Sequence, residues 1–516
     1  MSRRSHRLVL NVLLAVCGLT LWEFFSRRVF PGSSIPSPSS IVIEIWNARL
    51  DYTAHVAATL KFASLGFLLA NGLAVLMAVL FLIFPRLRTI NSFFTFVYSI
   101  PLILLVPILG MTLPSEAAEV ICAVLLIFYP TLLATSVALA ETPVLFVDLV
   151  RVAGGNDFDV FRLVRIRFGL AGLVAGLQAA APFAILGAML GELTGARWGL
   201  GAYLIAVMTQ GQPAREWGVF LVCSAIAATA YVVIGMVVQP FRISLSASKS
   251  VRAATDIHGQ PRARFVQILS NFAVTVVIWQ ICVMILSSNY FAKGPLDVLR
   301  FAFVLPSQSW QLFGLALADS LKWSALGLCA GVAAAFVFAS VLDEFPFLSS
   351  VLIPIALVTQ CVPIVALIPF YVALFGRGAI TTVSVVVAAT FFPAFVTIHQ
   401  GLVEVPEHLV DVVQVSGGSN WSVFRYVKLP FALPFVFAAM RLAAPRVLLG
   451  VTLAEYLATR TGLGALLFEA RGKTDFGMMW FIATATGVIS LCFYWGVKRL
   501  EQATSRRLGR DVATVL

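Results

Sequence analysis

Gly472-Lys473-Thr474 is the stretch of this 516-residue chain that comes nearest to a phosphate-binding loop. A G-x-x-x-x-G-K-[ST] loop needs its first glycine five positions before the second, where this chain has Leu467, and it needs a preceding strand. The stretch follows an apolar run instead, so no nucleotide site and no enzymatic activity are expected of the chain itself. The five His are scattered and form no metal site. The Cys residues (17, 122, 223, 282, 329, 361 and 492) sit in or beside apolar runs without a C-x-x-C pair, and read as small buried hydrophobes. What remains is charge embedded in apolar sequence. Each such group costs about 2.5–3.5 kcal/mol at the centre of a span and needs a reason to be there. Glu192 and Glu455 are candidates for a gate, a vestibule for a partner, or a hydrogen-bonded structural role. Arg441 and Arg446 are pathway candidates. Five residues apart, they point about 140° apart around a helix, and one of them facing a pathway would favour an anion through charge-assisted hydrogen bonds. Alternatively, Arg441 pairs with an acid or a backbone carbonyl near the cytoplasmic rim.

The elements that must hold these groups are membrane spans. Sixty per cent of residues are hydrophobic, only 12% are charged, and mean hydropathy is +0.95. An ordinary soluble domain is nearer half apolar and a quarter charged, which excludes a soluble enzyme, a disordered chain and a small disulfide-stapled protein. Long unbroken apolar runs, rather than short alternating segments, exclude a β-barrel. The expected fold is an all-α polytopic membrane protein. Twelve stretches are long enough to cross about 30 Å of hydrocarbon: 8–30, 57–84, 92–113, 118–140, 168–191, 216–240, 266–288, 311–341, 349–375, 379–402, 430–456 and 477–497. The N-terminus, with Arg3, Arg4 and Arg7 before an apolar run, reads as an uncleaved first span. The net charge of +12 is no nucleic-acid signal here, because its distribution follows the spans. With the N-terminus inside, inner segments carry roughly twice the Lys and Arg of outer ones, which places both termini in the cytoplasm. Lys61 and Lys322 lie near the outer starts of the second spans, where they can snorkel.

The chain repeats itself at an offset of 263. Glu141, Pro143, Asp148, Gly154-Gly155, Phe161-Arg162, Pro182, Glu192 and Gly199-Leu200-Gly201 recur as Glu404, Pro406, Asp411, Gly417-Gly418, Phe424-Arg425, Pro445, Glu455 and Gly462-Leu463-Gly464. With small gaps the repeat extends upstream through Lys61/Lys322, Pro101/Pro363, Pro107/Pro369 and Pro130/Pro393, and Ile35-Pro36-Ser37 is matched with Leu305-Pro306-Ser307. The expectation is two parallel six-helix repeats related by an axis along the membrane normal. They fill residues 1–241 and 266–516, joined by a basic cytoplasmic linker at 242–265. Arg441 and Arg446 break the repeat, since their counterparts are Gln178 and Phe183.

Between the fourth and fifth spans of each half lies a polar segment, 141–167 and 404–430. Pro406 suits the first turn of a short helix, and the Gly pair suits a sharp turn. A second short helix is expected to lead to Leu429-Pro430, where the next span begins. A connector needs no near-copy of itself, so the duplicated elbow points to a surface that docks something twice.

Asp411-Val412-Val413, three residues, Gly417, nine residues, then Val427-Lys428-Leu429-Pro430 resembles the coupling-loop signature of permease subunits of binding-protein-dependent ABC importers of the type I fold. The first half offers Asp148-Leu149-Val150, Gly154 and Val164-Arg165-Ile166-Arg167. Asp stands where the family has Glu, bulkier residues replace its Ala pair, and Arg167 stands where it has Pro. The Pro-Ser segment before the second span and the Glu followed by Gly-Leu-Gly resemble the nitrate/sulfonate/taurine branch. The resemblance implies that Asp148, Gly154, Gly155, Arg162, Asp411, Gly417, Gly418, Arg425 and Pro430 belong to two docking loops for ATPases. It further implies two ATP-binding subunits that hold the ATP and Mg, a periplasmic or lipid-anchored solute-binding protein, and a bacterial inner-membrane location. The chain would be two permease units fused, carrying a small anionic solute such as nitrate, a sulfonate or taurine by alternating access. An ion-coupled secondary transporter with parallel six-helix repeats is the alternative.

Overall fold

The computed structural model describes residues 3–28, 35–140, 142, 144–238, 261–285, 290–345, 348, 352, 356 and 362–507, and no strand occurs among them. Of the expected linker at 242–265, residues 242–260, together with Glu141, Pro143 and Cys361, lie outside the described residues, whereas 261–265 form the first turn of the helix Pro261–Ile285 rather than a linker. The first half contains α1 (Arg3–Arg28), α2 (Pro38–Asn47), α3 (Arg49–Ile83), α4 (Asn91–Ser99), α5 (Leu102–Thr112), α6 (Ser115–Ala140), α7 (Val144–Val152), α8 (Asp157–Val160), α9 (Ile166–Glu192), α10 (Leu200–Gln210) and α11 (Pro213–Val238). The second contains α12 (Pro261–Ile285), α13 (Pro295–Val304), α14 (Ser307–Glu344), α15 (Ile364–Phe375), α16 (Ala379–Val403), α17 (Glu407–Val415), α18 (Asn420–Val423), α19 (Leu429–Ala454), α20 (Gly462–Gly472) and α21 (Phe476–Arg507).

Eight helices among the described residues are long and apolar enough to cross a membrane: α3, α6, α8 through α9, α11, α14, α16, α18 through α19, and α21. The third span, expected as one run over 92–113, is broken. Its two pieces meet at 91°. The cause is local: Pro101 has no N–H to extend the helix and pushes the preceding residue out of the helical region, and Ile100 is extended at φ −74°, ψ 121°. Pro363 opens α15 in the same way, at φ −62°, ψ 125°.

The match of Ile35-Pro36-Ser37 with Leu305-Pro306-Ser307 needs correction. Ser37 caps the ten-residue α2, its Oγ accepting the Ser40 N–H, whereas Pro306-Ser307 stands at the junction of α13 and α14, Pro306 capping α14 and Ser307 opening it. The counterpart of α2 is the ten-residue α13, opened by Gly294, whose N–H is accepted by Asp297 Oδ2 at 3.0 Å. Each half thus lays a short helix ahead of its second span.

Within the first half, α6 and α9 approach closely through small residues, as is usual where lipid supplies no hydrophobic drive. A Cβ on Gly187 would lie 2.5 Å from the Ala123 Cα. Each half also sets a Trp of its first helix against one near the start of its last span. The ring centroids of Trp22 and Trp217 are 5.1 Å apart, and those of Trp279 and Trp480 6.1 Å apart.

The halves interlock reciprocally. The half-helix α5 packs on α19 and α21 of the second half, and α15 packs on α9 and α11 of the first. Phe370 of α15 lies 4.7 Å from the Trp217 ring. In the second half, α12 lies along α4 of the first, and Ser92 Oγ donates to the Asn271 carbonyl at 3.1 Å. One buried apolar cluster, including Ile103, Leu104, Leu190, Val365, Ile368 and Ile482, runs through both halves.

Candidate functional site

The two elbows share one geometry. In the first, α7 ends where the Gly154 N–H reaches the Arg151 carbonyl at 3.0 Å and the Gly155 N–H reaches the Val150 carbonyl at 2.9 Å. In the second, Gly417 reaches Gln414 and Gly418 reaches Val413, both at 2.9 Å. The turn requires φ of +84° at Gly154 and +83° at Gly417, which glycine adopts without strain. A side-chain cap then restarts the helix. Asn156 Oδ1 accepts the Phe158 and Asp159 N–H groups, and Ser419 Oγ accepts that of Ser422.

The expected separate helix before Leu429-Pro430 is instead continuous with the span. A π turn in each half, Phe161–Arg165 and Phe424–Lys428, carries the elbow directly into α9 and α19. Pro430, the second residue of α19, follows directly on this π turn and so lies inside the continuous rod rather than at a free helix start. A push on either elbow is therefore a push on a membrane-crossing rod.

Asp148, Arg162, Asp411 and Arg425 are all exposed. So are the apolar residues Val144, Leu145, Leu149, Val152 and Phe158 of the first elbow, and Val412, Val415, Trp421 and Tyr426 of the second. Neither α7 nor α17 buries a residue within the chain.

The elbows differ in their ties. Lys428 Nζ lies 2.7 Å from Asp343 Oδ2, and Asn420 Nδ2 donates to Glu344 Oε1 at 3.2 Å, so the second elbow is fastened to the end of α14. Arg165 takes the place of Lys428 in the first half and makes no ion pair among the described residues. Sequence reading missed this tie because Asp343 and Glu344 lie outside the repeat's matched positions.

At the other end of the spans, Glu192 and Glu455 are equivalent in structure as well as in sequence. They are 1% and 0% exposed. Thr59 Oγ1 donates to Glu192 Oε1 at 2.6 Å and accepts the Leu200 N–H at 2.8 Å, while Gly201 N–H donates to Glu192 Oε2 at 2.6 Å. Ser320 Oγ donates to Glu455 Oε1 at 2.7 Å and accepts the Leu463 N–H at 2.9 Å, while Gly464 N–H donates to Glu455 Oε2 at 3.0 Å. Each carboxylate and its hydroxyl partner thus accept one apiece of the otherwise orphaned N–H groups at the start of α10 or α20, and together they clamp three elements. Sequence reading offered the gate and the hydrogen-bonded role, and both carboxylates sit in the second arrangement. The hydroxyl partners were missed. Lys61/Lys322 fixed the local register, and two residues upstream it aligns Thr59 with Ser320. The two lysines themselves are exposed, beside Phe62 and Trp323.

The two repeat-breaking arginines part company. Arg441 Nη1 lies 3.0 Å from Glu501 Oε2, a carboxylate only 2% exposed. Glu501 also breaks the repeat, since its counterpart at the same offset is Val238. Arg441 is therefore neutralised between α19 and α21. Arg446 makes no ion pair among the described residues. Its guanidinium carbon stands 5.5 Å from the ring centroid of Phe183 on α9 of the other half. A cation–π contact contributes about 0.5–2 kcal/mol, against about 2.5–3.5 for a cation at span depth. The ring offsets only part of that cost.

Two repeats of one helical unit, built on apolar membrane-length spans and each presenting an exposed elbow, have the architecture of a transport permease. The chain belongs to the family of binding-protein-dependent transport system inner membrane components, whose profile matches it twice, over residues 70–241 and 327–506. It is similar to the riboflavin transport system permease protein RibX of Chloroflexus aurantiacus, 33% identical over 31% of this chain and 60% of that protein. It is also similar to the formylaminopyrimidine transport permease protein ThiX of Halalkalibacterium halodurans, 25% identical over 45% of this chain and 91% of that protein. The nitrate import permease protein NrtB of Synechococcus elongatus is 22% identical over 50% of this chain and 93% of that protein. Half of this chain thus accounts for nearly all of the last two relatives, and the chain is a fused two-unit ABC permease, a multi-pass protein of the inner membrane.

Proposed function

We propose that the chain forms the whole translocation pathway of an ATP-driven importer for a small anionic solute. The observation that carries this reading is the pair of equivalent elbows, exposed on apolar faces and continuous with α9 and α19. Two ATPase subunits, which bind and hydrolyse the ATP with Mg, each receive one elbow. Closure of that pair swings α9 and α19, and the halves alternate between inward and outward openings. The elbows and both termini then lie in the cytoplasm, residues 1–241 and 261–516 form the two units, and 242–260 link them there. A solute-binding protein delivers its cargo to the opposite face.

The anionic character of the cargo draws support from Arg446 and from relatives named for nitrate and for aliphatic sulfonates. The competing reading, an ion-coupled secondary transporter, calls for intramembrane acids free to take up coupling ions. Glu192 and Glu455 are already engaged by hydroxyl and backbone donors, which leaves that reading the buried Glu119 of α6, one oxygen of which has no partner among the described residues. Affinity purification of the chain from its native membrane tests this: an ATPase is expected to come with it. Solute uptake in sealed vesicles that runs on an ion gradient without ATP overturns it.

A further inference from the structure

Arg446 and Phe183 are the same position of the two repeats, 263 residues apart, and they touch. Equivalent residues of two units related by rotation meet each other only beside the rotation axis. The contact therefore lies between the halves at the middle of the bundle, where a pathway shared by both units must pass. Arg446 brings to that point a half-buried cation with no carboxylate against it among the described residues, while Arg441, one turn and a half nearer the elbows, is already neutralised by Glu501. The guanidinium rests over the face of an aromatic ring, a contact that holds a cation but leaves its forked N–H donors without a matching acceptor.

We propose that Arg446, resting on Phe183, is an anion-binding site of the pathway, specific for solutes that carry a compact planar or trigonal oxyanion such as a carboxylate, sulfonate or nitrate. The incoming oxyanion takes two parallel N–H bonds from the guanidinium fork, and the guanidinium leaves the ring to make them. When the oxyanion departs, the ring receives the cation again, so the site empties without stranding a bare charge. A neutral solute offers no such exchange. This rests on the permease reading above, but not on which ATPase drives it.

The test is chemical labelling of the full chain in lipid nanodiscs with phenylglyoxal, followed by peptide mass spectrometry at Arg446. Labelling is run in potassium nitrate, methanesulfonate or acetate, and in potassium chloride at matched ionic strength. At least one oxyanion is expected to slow modification of Arg446 about fivefold relative to chloride, the factor reached when it is present at about four times its Kd. Phe183→Ala is expected to label faster without oxyanion and to be protected at lower oxyanion concentration, because the competing ring is gone. Arg446→Lys keeps the charge but not the fork, and thermal unfolding of that variant should lose the stabilisation by the protecting oxyanion that the native chain shows. Labelling of Arg446 that is indifferent to all three oxyanions, or slowed equally by chloride, overturns the site. Neither result touches the ATPase co-purification, so a failure here is distinguishable from a failure of the importer reading.

Discussion

Thr59 and Glu192, 133 residues apart in the chain, meet at 2.6 Å with the Thr59 hydroxyl as donor. The same oxygen receives the Leu200 N–H, so one side chain joins α3, the end of α9 and the start of α10. Ser320 repeats every part of this around Glu455. A hydroxyl at this point is therefore a structural requirement of each half.

Thr59→Val is expected to destabilise the protein by about 1–3 kcal/mol, because it leaves a buried acceptor short and the Leu200 N–H unpaired. Ser320→Ala should do the same in the second half. Thermal unfolding of the solubilised protein measures it. Unchanged stability with altered solute selectivity would return Glu192 and Glu455 to the role of gates.

Gly462→Ala should be at least as harmful. Gly462 has φ of +64°, and the added Cβ would run into the Glu455 carboxylate. Strain in the left-handed region costs about 1–2 kcal/mol, before any displacement of the clamp. Gly472→Ala, where nothing lies within 4 Å and φ is ordinary, is the control and should unfold like the native chain.

Gly417→Arg separates docking from folding. A side chain there meets nothing within 4 Å, so the bundle should persist with a loss of about 1–2 kcal/mol for the positive φ. The bulky cation would stand on the docking face of the second elbow. Loss of ATPase co-purification with a near-native melting profile is the expected result, and a variant that assembles and transports normally refutes the elbow's role.

Arg441→Ala is expected to cost about 3 kcal/mol, since it strands the buried Glu501 carboxylate. The double variant Arg441→Leu with Glu501→Leu should recover most of that loss, because replacing both partners with apolar groups is often close to neutral. A double-mutant cycle on unfolding free energies reads the coupling directly. Transport selectivity should be unchanged, in contrast to Arg446.

Lys428→Met should lower transport per ATP hydrolysed while ATPase binding persists, because the Asp343 tie between elbow and α14 is lost. Arg165→Met in the first half, which breaks no ion pair among the described residues, should have the smaller effect. Equal effects would mean that the tie carries no load during the cycle.

The elbows were legible in sequence because their information is local. A helix-opening Pro and a Gly pair sit within 27 residues, and the duplication marks them; the side-chain caps and the π turns that run each elbow straight into its span carry no such signal. Broken helices were less so. Pro107, Pro130 and Pro182 all lie inside intact helices, whereas Pro101 ends one, and hydropathy alone does not separate the two cases. The partners of Glu192, Glu455, Arg441 and Lys428 come from distant segments, so only three-dimensional packing could name them. The unlike fates of Arg441 and Arg446 turned on one residue, Glu501, that had no counterpart to draw attention to it.

A permease assembled from two copies of one polypeptide must place every residue twice. An arginine beside its dyad would then confront another arginine, and the two would repel. Joining both copies in a single gene lifts that constraint: position 446 carries the cation while position 183 carries its aromatic rest. On the proposed site, a single charge beside the axis is open to any pair of unlike units and closed to two identical ones, and it gives the duplicated halves a reason to diverge where they meet.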